Sequence, residues 1–214
     1  MRALPVMVML ALAAIGTAAA APIVHDGPIL SLLGKVEGPD GYDEISGHSK
    51  LQPPKPISSM RIEEVIAFQD RMVAAGSASS AVGRYQFIRK TLRDLVGRHR
   101  VDRRQMFNAR TQDFLARMLL NDCNYYDPDA DTTRIGNCVA TIWAAFPVFT
   151  GPKAGMSYYH GIAGNRAQTT VPVMRAIISS RSRPPVDLRQ GGLRTPRQVV
   201  WPDDGRVADP VPLR

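Results

Sequence analysis

Glu37 is the informative carboxylate of this chain. It follows Ile29, Leu30 and Leu33 at i, i+3/i+4 spacing, so on a helix it falls on their apolar face. A carboxyl that faces a packed interior or a cleft wall is desolvated; its pKa rises and it becomes a proton donor near neutral pH. The competing reading is a helix-end Glu turned to water, and spacing alone leaves both open. The residues after it, EGPDGYDEI, form a turn-rich loop able to open a groove at the helix end. They bring Tyr42, Asp43 and Glu44 into the same neighbourhood as candidate auxiliary groups. Either acid could assist a hydrolysis that needs a second carboxylate, or serve as a solvated loop carboxylate.

A second stretch, SAVGRYQFI at residues 80–88, has the composition of a binding turn. Ser80 is a capping-type residue, and Gly83 lets the backbone turn tightly and approach a ligand where a Cβ would hinder it. Tyr85 and Gln86 then offer a ring with a hydroxyl and an amide with both donor and acceptor atoms. The bland alternative is a glycine turn with a buried tyrosine.

Other constellations fail on spacing. His25, His48, His99 and His160 have no metal-ligand pattern, and neither metal nor cofactor is expected. The run DPDAD at 127–131 has the acids of a calcium loop, but Thr132 and Cys138 stand where glycine and glutamate are needed. A Cys–His peptidase built on Cys138 and His160 lacks a nucleophile signature. Cys123 and Cys138 are the only cysteines, and an even count at short separation in an oxidising compartment predicts a disulfide. Closing a loop of about 15 residues stabilises by roughly 3 kcal/mol.

Helices must position these groups. Apolar periodicity predicts a first helix over Asp26–Glu37, with Asp26 as N-cap and Pro28 in its first turn. A second covers Ser59–Ala75 with Ile62, Val65, Ile66, Gln69, Met72 and Val73 on one side, stopped by Gly76. Thr91–Arg98 is a short third. The fourth, Asn108–Asn121, carries Phe114, Leu115, Met118 and Leu119; a fifth spans Ile135–Phe146 and a sixth Thr170–Ser180. Only GRYQFI looks extended. The expected fold is a mainly α domain with a small hairpin.

The chain ends set compartment and partners. Residues 1–21 carry one arginine, an apolar run and an alanine tract, which reads as a secretory signal cut between Ala20 and Ala21. Nothing later resembles a membrane segment, so stable membrane insertion is not expected. Residues 21–180 then form one domain. Residues 181–214 hold six prolines and seven arginines without apolar period and read as a disordered or loosely docked basic tail. That tail either confers solubility or tethers the chain to an anionic wall or to a protein of a secretion or flagellar apparatus. The formal charge of +8 favours a polyanion. Export makes nucleic acid the weakest choice and the cell wall the natural one.

Taken in order, the pieces resemble a known family. Glu37-Gly38, Asp40-Gly41-Tyr42-Asp43, Ser80 with Gly83-Arg84-Tyr85-Gln86, and Cys138 with Ile142-Trp143-Ala144 and Pro147 are similar to the phage lambda lysozyme family, whose members are lytic transglycosylases. They span residues 37–147, and GRYQ is the most specific of them. The segment SYYHGIAGNR at 157–166 is similar to the Tyr-x-x-Gly segment of the wider group, with His160-Gly161 where those usually carry Asn before an Ala-Gly step. The resemblance implies a lysozyme-like α+β fold and Glu37 as the catalytic acid and then base. It implies that Ser80, Gly83, Tyr85, Gln86 and Tyr158 line a groove for peptidoglycan. The expected reaction is cleavage of the N-acetylmuramic acid–N-acetylglucosamine bond to a 1,6-anhydro end in the periplasm. A hydrolytic muramidase and a non-catalytic wall-binding adaptor are the alternatives.

Overall fold

The computed structural model describes residues 25–162 and 164–181. The expected signal at 1–20 and the tail beyond Arg181 lie outside the described residues. Within them are six α-helices: α1 Gly27–Val36, α2 Ile62–Ala74, α3 Arg89–Arg98, α4 Ala109–Asp122, α5 Thr132–Ile142 and α6 Val171–Ser179, with a 3-10 turn at Ile57–Ser59 ahead of α2. Among the described residues no helix is long and apolar enough to cross a membrane.

The helix starts follow from local chemistry. Asn108 accepts from the Thr111 amide at 3.1 Å and opens α4, and Asp131 accepts from the Arg134 amide at 2.8 Å and opens α5. Glu64 reaches back to the Arg61 amide at 2.6 Å at the start of α2. Asp26 does sit at the N-cap of α1, but its carboxylate makes no cap bond. It pairs instead with Arg117 of α4 at 2.7 Å and accepts from the Tyr126 hydroxyl at 2.8 Å, pinning the start of α1 to the other half of the fold.

A common core joins the helices. Leu33, Ile62, Phe68, Met72, Leu92, Phe107, Leu115 and Val139 are all within 1% of full burial, and each such side chain stabilises by about 1.5–3 kcal/mol relative to exposure. α2 packs on α3, and α6 packs on both α1 and α5. Two expected faces are displaced. On α4 the buried stripe is Gln112, Leu115, Ala116, Leu119 and Leu120, while Phe114 faces water. On α2, Val73 is exposed and Phe68 takes its place in the core.

The expected hairpin shrinks to isolated bridges, and there is no strand among the described residues. Val82 and Phe87 exchange backbone bonds at 3.2 and 2.9 Å around the turn Gly83–Gln86. A second bridge joins Ile45 to Val82, with Gly83 donating to Glu44 O at 2.6 Å and Ser46 to Ala81 O at 2.9 Å. Thus the loop after Glu37 and the turn at 83–86 are zipped together.

α5 also departs from its expected span. It begins three residues early, at the Asp131 cap, and ends at Ile142 because Trp143 is extended, with φ −117° and ψ 114°. At the C-terminal boundary, Arg181 belongs to the fold rather than to a tail. It is 4% exposed, and its guanidinium donates to the carbonyls of Ile178, Asp127 and Ala130.

The disulfide Cys123–Cys138 is formed and ties the end of α4 to α5. Replacing both cysteines with serine should lower stability by about 2–4 kcal/mol, since the bridge closes a loop in the unfolded chain. Thermal unfolding of the double variant should fall by several degrees; an unchanged midpoint would show that the link adds nothing.

Candidate active site

Glu37 stands at the C-cap of α1, half-buried, where the chain leaves the helix. Its Oε1 accepts the Ala145 amide at 2.9 Å. The early end of α5 makes this contact possible: Trp143 leaves the helix, and the extended segment carries Ala145 to the acid. Burial pushes the Glu37 pKa up to about 7, with the Ala145 bond pulling it down and the nearby Glu44 charge pushing it further up. A carboxyl raised into this range changes protonation near neutral pH, the condition for giving and taking a proton in one cycle.

Gly38 explains why the acid is followed by glycine. A Cβ there would collide with the backbone of Arg84, so this close approach admits no larger residue. Gly34, one turn back on α1, lies under the Arg84 guanidinium, which a Cβ there would displace. The glycines of α1 and the turn Gly83–Gln86 are in direct contact. The structure thus brings the two sequence motifs together.

Within the turn, each expected groove residue also has partners in the protein. The Tyr85 ring is 2% exposed and packed edge-on against Tyr42 and Phe87, so it has no face for a ligand. Its hydroxyl donates to Asp113 at 2.7 Å. Tyr85 ties the turn to α4. Gln86 holds a left-handed backbone at φ 46°, costly for a residue with a Cβ, and its amide nitrogen donates to Gly83 O at 2.9 Å. Half of its expected binding capacity is spent on the turn itself. Gly83, at φ +76°, is buried where a Cβ would strike the Gln112 side chain. Ser80 accepts from the Arg89 amide at 3.0 Å and so caps α3, whose own N-cap residue Ile88 makes no such bond.

The auxiliary candidates are likewise engaged. Tyr42 donates to Asp113 at 2.9 Å, and the Arg84 guanidinium lies 5.4 Å from the centre of its ring. Asp43 accepts from the Ser58 amide at 2.7 Å, and Glu44 accepts from the Asp40 amide at 2.9 Å. Burial raises the Glu44 pKa, with the Asp40 amide opposing and the Asp40 charge adding to the rise. Tyr158 is half-buried in a different loop, its ring edge-on to Tyr159 and 5.6 Å from the Lys153 ammonium.

Sequence reasoning missed the residues that hold all this in place. Gln112, fully buried on α4, accepts the Arg84 amide at 2.9 Å and donates to Tyr42 O and Phe107 O at 2.9 and 2.8 Å. Asp113 next to it accepts from both Tyr42 and Tyr85. Trp143, already among the motif residues, donates to Tyr85 O at 3.2 Å. A polar residue at i−3 from Leu115, inside an apolar stripe, was the available signal for Gln112. Among the described residues no group of three or more His, Cys, Asp or Glu is placed to hold a metal. Set against family models, curated proteins and solved structures, the chain matches none.

Two outcomes follow from this geometry. Asp113→Ala removes the acceptor for two tyrosine hydroxyls and should cost about 1–3 kcal/mol in denaturant unfolding, whereas Asp113→Asn should retain most of it. Glu37 has a folded pKa above its unfolded value, so the folded state binds more protons between pH 4.5 and about 7. Stability should accordingly fall as pH rises through that window. Glu37→Gln, which keeps the Ala145 bond without the charge, should be more stable than wild type at pH 8 by on the order of 2–3 kcal/mol. The gap should narrow as pH falls and close below about pH 4.5; equal pH–stability curves for the two proteins would refute a desolvated Glu37.

Proposed function

We propose that this chain is an exported peptidoglycan lytic transglycosylase that acts in the periplasm with Glu37 as its single acid and base. The observation that carries the reading is the setting of that one carboxyl. It is fixed by the Ala145 amide, desolvated, and poised to change protonation near neutral pH. Three other acids of the region have protein partners: Asp43 and Glu44 accept from backbone amides, and Asp113 from two tyrosines. A hydrolase built on two carboxylates needs a second one free for a water or for the sugar.

The chemistry suits one group used twice. Protonated Glu37 gives its proton to the glycosidic oxygen as the bond from C1 of N-acetylmuramic acid breaks, and N-acetylglucosamine leaves with a free hydroxyl. The resulting carboxylate takes the proton from the muramoyl C6 hydroxyl, whose oxygen bonds to C1 and closes the 1,6-anhydro ring. Glu37 ends as it began, protonated. The nucleophile belongs to the substrate, so attack is intramolecular and no water has to be positioned.

Digestion of purified sacculi should yield anhydro-muropeptides by mass spectrometry, and Glu37→Gln should lower their rate of formation at least about 10²-fold. Reducing muramic ends in place of anhydro ends would make the enzyme a hydrolytic muramidase. Retention of most activity by Glu37→Gln would remove the acid from its assigned role.

A further inference from the structure

From Thr132 to Val186 the sequence has no aspartate or glutamate. In the described part of that stretch stand Arg134, Lys153, Arg166, Arg175 and Arg181. A third of the described fold is therefore cationic without internal compensation, and it forms an open pocket. The cavity has a volume of about 520 Å³ and is walled by Val148, Thr150, Lys153, Tyr158, Tyr159 and Ile162, with Pro152 at its edge. This volume suits a small ligand or a few residues of peptide.

Its chemistry is mixed. Val148 and the two tyrosine rings supply apolar surface, and Ile162 is 44% exposed in the same wall. Lys153 is held in place, its Nζ donating to Tyr158 O at 2.7 Å above the Tyr158 ring. Among the described residues no carboxylate pairs with that ammonium. An apolar cavity with one fixed cation, in a segment without acids, suits a ligand that carries aliphatic groups and negative charge.

Position narrows the ligand further. Val148 lies three residues beyond Ala145, whose amide holds Glu37, so at most about 10 Å of extended chain separates cavity wall from acid. We propose that this cavity binds an acidic peptide, namely the stem peptide attached to the muramic acid residue that Glu37 cleaves. The identity of the peptide rests on the proposed function, whereas the cavity's preference for an acidic peptide does not. The enzyme then favours strands that still carry stems over strands from which they have been removed.

The test has two independent arms, both on the full chain. In the first, calorimetric titration uses a free stem tetrapeptide with its glutamate carboxylate and a neutral, amidated analogue. Wild type should bind the acidic form several-fold more tightly, and added salt should weaken it. Lys153→Met and Ile162→Asp should each weaken binding about tenfold, whereas Ile162→Lys should retain it. Both sites are exposed, and matching thermal midpoints verify folding. Absence of binding, or equal behaviour of Ile162→Asp and Ile162→Lys, would overturn the proposal. In the second arm, kcat/KM is compared on peptide-bearing and amidase-stripped glycan. The same two weakening variants should lose the preference for peptide-bearing strands while cleaving stripped strands normally. Equal cleavage of both strands by wild type would overturn the stem-peptide assignment and leave the proposed function standing. Peptide binding with the expected charge dependence, but no cleavage of either strand, would support the cavity and reject the proposed function.

Discussion

The buried side chain of Gln112 is the interaction on which the site depends. One amide serves three backbone segments: the loop after Glu37 through Tyr42 O, the turn at 83–86 through Arg84 N, and the entry to α4 through Phe107 O. None of these groups belongs to a continuous ladder, and buried backbone groups left unpaired would cost about 1–3 kcal/mol each. A fold with so little sheet must satisfy its loops by side chains. Gln69 does the same from α2, donating to Ser80 O and Phe87 O at 2.8 Å each, on either side of the turn. Two glutamines on two helices therefore take the place of the neighbouring strands that a hairpin would otherwise need.

Around this frame the acid is held by close backbone approach rather than by a dense charge network. Gly34 and Gly38 allow the Arg84 segment to lie directly on the end of α1, and Ala145 arrives from the opposite side along an extended segment. The ion pairs lie elsewhere: Arg89 and Arg93 with Asp70, Arg98 with Asp94 and Asp122. These are substantially exposed and contribute little to stability individually. Their removal from the neighbourhood of Glu37 leaves burial as the leading influence on its protonation.

Much of the helical frame was legible in the sequence because apolar period and capping residues act locally. Asn108 opens α4 as expected, and Gly76, with φ +72°, follows α2 as expected. The failures are tertiary. Asp26 is a capping residue by type, but Arg117 and Tyr126, 91 and 100 residues away, claim its carboxylate. Apolar spacing on α4 favours Phe114 over Gln112, because a buried amide is invisible to a count of apolar residues. At the motif residues, Tyr85 and Ser80 spend their polar atoms on Asp113 and on α3, partners that lie far away in the chain or across the turn. Sequence spacing marks where a chain turns, but not which partner each polar atom finds.

The ends of the described fold meet. The His25 amide donates to Arg181 O at 2.9 Å, and the Tyr125 hydroxyl donates to His25 O at 3.2 Å. This junction lies at the start of α1, whereas Glu37 lies at its other end. The ten residues of α1 separate the two by about 15 Å of helical rise. Such adjoining ends make the domain a natural insertion cassette. Spliced into a surface loop of another protein, it would need only a narrow gap between the splice points. The host would attach behind the helix, opposite the end that carries the acid.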